Sequence, residues 1–197
     1  MTELEGLDRY VRAYVQETKA ALEAPYLLEG LRAVVPVLLK ARAEGRTVFF
    51  FGNGGSAATS SHMSQDLGKL TIVEGRKRFR SVSLADALPL ILAWANDRSY
   101  AEVFSEQVKS HVRAGDVAIG ISGSGNSPNV LRALEEARRL GATTVGLIGM
   151  GGGKMRPLCD LAIVVPSQNM QHIEDVHHIF LHLLTAYLRD EHPAPNG

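Results

Sequence analysis

Thr47-Val48-Phe49-Phe50-Phe51-Gly52-Asn53-Gly54-Gly55-Ser56 is the stretch that decides the fold. Its first half is a short apolar run of β-branched and aromatic residues without polar alternation, the pattern of a strand buried on both faces. Its second half is a loop of small residues, and from Ser56 onward the chain reads as a helix. A strand that runs through glycines into a helix opens a βαβ unit, which places the next strand parallel to the first.

The same alternation recurs downstream. Strands are predicted at Arg80–Leu84, Asp116–Ile121, Thr143–Ile148 and Leu161–Val165, with helices at Tyr100–Val112, from about Ser127 to Leu140, and from about Ile173 to Arg189. Upstream, Leu4, Leu7, Val11, Tyr14, Val15, Thr18 and Leu22 fall at helical spacing, and a second helix runs from about Leu27 to Glu44 and stops at Gly45. The expectation is an α/β fold: a five-stranded parallel sheet of flavodoxin-like type, flanked by helices, with two extra N-terminal helices. The chain reads as a single domain over 1–197, divided into N-terminal helices at 1–45 that either cover the sheet or pack against another subunit, an α/β core at 46–190, and a frayed Pro-rich tail at 191–197.

The bulk properties agree with a globular domain. Its 197 residues are enough for one core, and its 45% hydrophobic and 21% charged content is ordinary. Lys+Arg and Asp+Glu both number 21, so no net field points to nucleic acid or to an anionic membrane. Arg76-Lys77-Arg78 with Arg80 is the local basic cluster, read as a solvated edge or an anion contact. The single cysteine, Cys159, excludes an intrachain disulfide and is read as a small buried hydrophobe. Acidic residues at Glu3 and Glu5, where a signal peptide carries positive charge, and apolar runs too short for a bilayer give a cytoplasmic expectation.

Two loops carry the ligand chemistry. In parallel α/β sheets ligands bind beyond the carboxyl ends of the strands, and Gly52–Ser56 and Ser122–Ser127 both fall there. Gly52–Ala57 also fits the loose dinucleotide pattern G-x-G-x-x-A, but Glu74 stands before the basic cluster rather than at the end of the second strand, where a ribose-binding acid belongs. Ser122-Gly123-Ser124-Gly125-Asn126-Ser127 discriminates: hydroxyls and amides packed this densely at a helix start suit the three acceptor oxygens of a phosphate monoester.

Polar side chains add a second feature. His62 and Asp66 share a helix face, as do Glu174, His178 and His182. Imidazole and carboxylate are donors suited to Zn²⁺ and similar ions, while a His/Asp pair alone also serves as a simple salt bridge. Glu174 and His182, if both helical, lie about 12 Å apart along the axis. One ion spans both only if the helix starts irregularly near Glu174 or different subunits contribute; His178 is geometrically the easier partner for either.

The two loops together, with Asn96-Asp97 and Ile173-Glu174-Asp175-Val176-His177, resemble the SIS (sugar isomerase) domain family, specifically its phosphoheptose isomerase branch. The resemblance spans about Thr2 to Arg189. It implies a homotetramer with active sites at subunit interfaces, and interconversion of sedoheptulose 7-phosphate and a heptose 7-phosphate, D-glycero-D-manno-heptose 7-phosphate. It implies that Ser122, Gly123, Ser124 and Ser127 hold the phosphate, and that Asn53, Gly54, Gly55, Ser56, Asn96, Asp97 and Glu174 bind the rest of the substrate. It implies a divalent metal, Zn²⁺, on His62, Asp66, Glu174 and His182, with Asp66 and His182 as the acid–base pair. Asp66 stands where the branch has Glu, and Glu174 where it has Gln; both keep an oxygen donor. The competing readings are a non-catalytic SIS protein, resembling relatives that bind a replication initiator, and an isomerase for another sugar phosphate.

Overall fold

The computed structural model describes residues 3–190; the tail expected at 191–197 lies outside the described residues. Its elements are α1 (Glu3–Glu23), α2 (Tyr26–Glu44), β1 (Thr47–Gly52), α3 (Gly55–Lys69), β2 (Arg80–Ser83), α4 (Leu88–Asp97), α5 (Ser105–His111), β3 (Val117–Ser122), α6 (Pro128–Arg139), β4 (Thr143–Ile148), β5 (Leu161–Val164) and α7 (Met170–Asp190). The five strands form one sheet in the order β2-β1-β3-β4-β5, and every pairing is parallel. The order reverses between β1 and β3, so the cleft at their carboxyl ends lies between the two loops singled out in the sequence.

Strand alternation explains the run Val48–Phe51. Val48 and Phe50 point into a core built with Val34 and Leu38 of α2, Met63 and Leu67 of α3, and Phe180 and Leu184 of α7. Phe49 and Phe51 point to the opposite face, against Phe104, Val108 of α5 and Val130, Leu134 of α6. With both faces covered, no position on the strand is free to be polar.

The two leading helices have different places. α2 packs directly on the sheet face and ends at Gly45, whose φ of 68° closes the helix. α1 lies on α7, burying Ala21 against Ile173 and Val176, while Leu4, Leu7, Tyr10, Val11 and Val15 of its apolar stripe stay exposed. The basic cluster is tied into the fold. Arg76 donates to the carbonyls of Leu188 and Arg189 at the end of α7, and Lys77 Nζ donates to Ala43 O at the end of α2. Cations are favoured at such helix C-termini.

Two segments differ from the sequence reading. The helix expected at Tyr100–Val112 is divided into a 3₁₀ turn, Tyr100–Glu102, and α5. Ser99 Oγ accepts from Ala101 N to start the turn, and the buried Val103 and Phe104 drop into the core before the helix restarts. The second is α4, a helix that apolar periodicity does not reveal. Leu88, Leu90 and Leu92 are exposed while Ile91, Trp94 and Ala95 pack inward, so its apolar residues encircle the axis. No helix among the described residues is long and apolar enough to cross a membrane.

Candidate active site

The first loop leaves β1 at Gly52 and enters α3 through Gly54. Gly54 has φ 54° and ψ −122°, a conformation that side-chain-bearing residues avoid. The first turn of α3 therefore presents its N–H groups and positive dipole end to the cleft. Glu174 of α7 faces this turn: a Cβ placed on Gly55 would lie 2.6–2.8 Å from its carboxylate. Ser56 is buried beneath the loop.

The second loop folds on itself. Gly125, at φ 65°, lets its N–H reach back to Ser122 O at 3.1 Å and Ser122 Oγ at 3.2 Å. The Ser122 and Ser127 hydroxyls stand 3.2 Å apart at the entry to α6, and Ser124 Oγ accepts from Asn126 N. Hydroxyls and the α6 N-terminus thus converge on one spot, which is suited to an anion.

Three supports for these loops escaped the sequence reading. Asn129, 1% exposed, exchanges two amide hydrogen bonds of 2.8 Å with Asn53, tying the first loop to α6. Tyr100 Oη adds a 2.8 Å bond to Asn53 Oδ1. The glycine-rich segment after β4 clamps the second loop from the other side: Gly149 N donates to Gly123 O, Met155 N to Gly125 O and Lys154 N to Asn126 Oδ1. The run Gly149-Met150-Gly151-Gly152-Gly153 was the available signal for it. Asn96 and Asp97 lie exposed at the end of α4, with the Asn96 amide donating to Asp97 Oδ1 at 2.8 Å.

Along the seam of α3 and α7 the structure brings together three of the four residues named as metal ligands. His62 Nε2 is 3.4 Å and His182 Nε2 4.0 Å from the buried Asp66 Oδ2. One ligand atom from each of His62, Asp66 and His182 lies within 4.8 Å of the others, and this donor set fits a divalent ion. Glu174 is not in the group; it stands at Gly55, on the side of the loop. His178 occupies the turn between them. Its ring centre is 5.8 Å from that of His62 and 6.2 Å from that of His182.

Two titratable groups are chemically quiet. Burial lowers His177 to about 4, so it is a neutral core histidine whose Nε2 meets Ile148 O at 3.3 Å. Burial pushes the Cys159 thiol up to about 12, which leaves no thiolate for nucleophilic chemistry. Glu74 precedes β2 and lies away from its carboxyl end, so the first loop lacks the acid of a dinucleotide site.

Residues 9–149 match the SIS domain model. The chain is 40% identical over 172 residues to the phosphoheptose isomerase of Helicobacter pylori (strain P12), covering 87% of this chain and 88% of that one. It is 41% identical over 167 residues to the phosphoheptose isomerase of Rhodospirillum rubrum, covering 85% and 86%. Among solved structures, the phosphoheptose isomerase of Neisseria gonorrhoeae superposes with a TM-score of 0.85 at 27% identity, covering 95% of this chain and 98% of that one. That of Francisella tularensis gives 0.87 at 25% identity, covering 97% and 100%. A serine-rich loop at the start of α6, a glycine loop stapled to α6 and a His–Asp–His cluster on the adjoining seam thus sit in a chain that matches these isomerases over most of its length: it belongs to the SIS domain family, in its phosphoheptose isomerase branch, and is a phosphosugar isomerase.

Proposed function

We propose that the enzyme interconverts sedoheptulose 7-phosphate and D-glycero-D-manno-heptose 7-phosphate. The observation that carries this reading is the placement of the His62–Asp66–His182 cluster on the seam between α7 and α3, the helix that the glycine loop opens, while Asn53 of that loop is bonded to α6 behind the phosphate loop. The relatives are phosphoheptose isomerases by name, and a seven-carbon chain anchored at its phosphate offers its far end to a second, separate cluster.

In this reading Ser122, Gly123, Ser124 and Ser127 hold the phosphate at the α6 N-terminus. Asn53, Gly54, Gly55, Ser56, Asn96, Asp97 and Glu174 line the open-chain sugar. Binding energy from the phosphate holds the reacting carbons in place. Asp66 removes a proton from the carbon beside the carbonyl and returns it to the neighbouring carbon. His182 protonates the carbonyl oxygen and takes the proton from the adjacent hydroxyl, so aldose and ketose interconvert without net gain or loss of protons. A divalent ion such as Zn²⁺, held by His62, Asp66 and His182, would supply charge stabilisation for the enediolate oxygens. Asp66 has two oxygens and each histidine two nitrogens, so coordination through one atom leaves another for the proton.

The same reading makes the protein a cytoplasmic homotetramer, its interfaces drawn from the exposed apolar residues of α1 and of α4, among them Leu7, Val11, Leu88 and Leu92. The test of the catalytic assignment is mutational. Asp66→Ala and His182→Ala are expected to abolish turnover while sugar phosphate still binds, measured by calorimetry; wild-type-like rates in either variant overturn it.

A further inference from the structure

The first loop ends in a polar chain whose protons are fixed one after another, starting from a main-chain amide. Val130 N donates to Asn129 Oδ1 at 3.0 Å, and a backbone N–H has no accepting role. The Asn129 atom at that place is therefore the oxygen, and its amide, 1% exposed, is locked in one orientation. Asn129 Nδ2 then donates to Asn53 Oδ1 and Asn53 Nδ2 to Asn129 Oδ1, each at 2.8 Å. The Asn53 atom that meets Tyr100 Oη at 2.8 Å is thus an oxygen, and toward it the hydroxyl donates.

This leaves two groups with capacity to spare. Asn53 Oδ1 accepts two protons, one for each lone pair, and is saturated. Asn53 Nδ2 has used one of its two hydrogens. The Tyr100 oxygen has given away its only proton and keeps its lone pairs. Among the described residues nothing takes up the second Asn53 N–H or those lone pairs. Side by side, the two residues offer one donor and one acceptor, the complement of a chain of hydroxyl groups.

The backbone places Tyr100 for this task. It opens the 3₁₀ turn Tyr100–Glu102, three residues after Asp97, and so ties the first loop to the segment that leaves Asn96 and Asp97. The turn is held at both ends: Ser99 Oγ accepts from Ala101 N at 3.1 Å, and Glu102 pairs with Arg132 of α6 at 3.2 Å. Tyr100 itself is 55% exposed, so its ring is not there to fill the core.

We propose that Tyr100 is a substrate-binding residue. Its oxygen accepts a hydrogen bond from one hydroxyl of the open-chain sugar, beside the sugar oxygen that takes the free Asn53 N–H. The same tyrosine, by donating to Asn53 Oδ1, keeps the Asn53 amide turned with its donor toward the sugar. The pair selects for a hydroxylated chain and against one deoxygenated at that carbon. This rests on the reading of the first loop as the sugar site.

The test uses the full chain assayed with Zn²⁺ present, on sedoheptulose 7-phosphate and its monodeoxy analogues, with inorganic phosphate as a competitor that carries no sugar hydroxyl. Tyr100→Phe keeps the ring, and circular dichroism checks the fold. It is expected to raise KM for sedoheptulose 7-phosphate about 5-fold, the worth of one net hydrogen bond, with kcat within about 3-fold and the Ki of phosphate within about 2-fold of wild type. One monodeoxy analogue is expected to lose about 5-fold in wild type and nothing further in Tyr100→Phe. Asn53→Ala is expected to raise KM as well. A KM within about 2-fold of wild type in Tyr100→Phe, a parallel rise in the Ki of phosphate, or a series in which no analogue couples to Tyr100 overturns the proposal; if Asn53→Ala still raises KM, the sugar-loop reading stands. A wild-type KM retained in both variants, or a wild-type protein that does not act on sedoheptulose 7-phosphate, overturns both.

Discussion

Replacing Asn129 by alanine removes the staple between the two ligand loops, and its cost follows from the structure. Asn129 and Asn53 exchange two amide hydrogen bonds of 2.8 Å, and Asn129 is buried, so no water replaces the lost partner inside the protein. A hydrogen bond of this kind contributes about 1 kcal/mol net, so losing both costs about 2 kcal/mol, roughly a 30-fold fall in the folding equilibrium constant. Asn53 keeps its bond from Tyr100 Oη, which limits the damage to the first loop. A double-mutant cycle of Asn53→Ala and Asn129→Ala, measured by urea denaturation, isolates the pair. The expected coupling energy is about 1–2 kcal/mol, the double variant being little worse than Asn129→Ala alone. The same single variant is expected to raise KM for the sugar phosphate, because Asn53 is freed to rotate. Additive effects, with a coupling below about 0.5 kcal/mol, would refute the staple as the element that joins the loops.

Three further outcomes are expected. Gly125→Ala forces a side chain onto φ 65° and against the main chain of Gly152, whereas Gly151→Ala, at φ 78°, meets open space; urea melts are expected to show the first costing over about 1 kcal/mol more than the second, with a raised KM for it alone. His177 has its folded value lowered to about 4 from 6.5, so the unfolded chain binds the proton first: this contribution to stability is full above about pH 6.5 and is lost as pH falls toward 4. The total is about 3 kcal/mol, and in denaturation curves across that range His177→Asn is expected to show a shallower acid decline than wild type. Cys159, its thiol raised to about 12 by burial, is expected to resist iodoacetamide in the native protein at pH 8 and to react at once in urea, read by mass spectrometry.

What the sequence revealed was set by which forces act locally. Strands such as Val48–Phe51 are buried on both faces, and Gly45 and Gly54 sit at positive φ, so composition alone marks them. The helix α4 stayed hidden because its leucines remain exposed in the isolated chain, which erases the two-sided pattern that marks a helix. Asn129 was equally silent: one asparagine early in a helix looks like any other until the fold brings it to Asn53. The polar residues of α3 and α7 were legible as faces, through their spacing by four. Which of them meet was not, because the relative offset of two helices is a tertiary property. The spacing put Glu174 and His182 two turns apart, but only the structure shows what each meets on α3: Gly55 for Glu174 and Asp66 for His182.

The most direct test of the account is conversion itself. Purified protein is incubated with sedoheptulose 7-phosphate and with shorter ketose phosphates in D₂O, with and without Zn²⁺, and followed by proton and phosphorus NMR. The account predicts new aldose signals from sedoheptulose 7-phosphate, carrying solvent deuterium beside the aldehyde carbon, formed fastest with metal present. Binding of the sugar phosphates without aldose formation from any of them, with or without the ion, would contradict it.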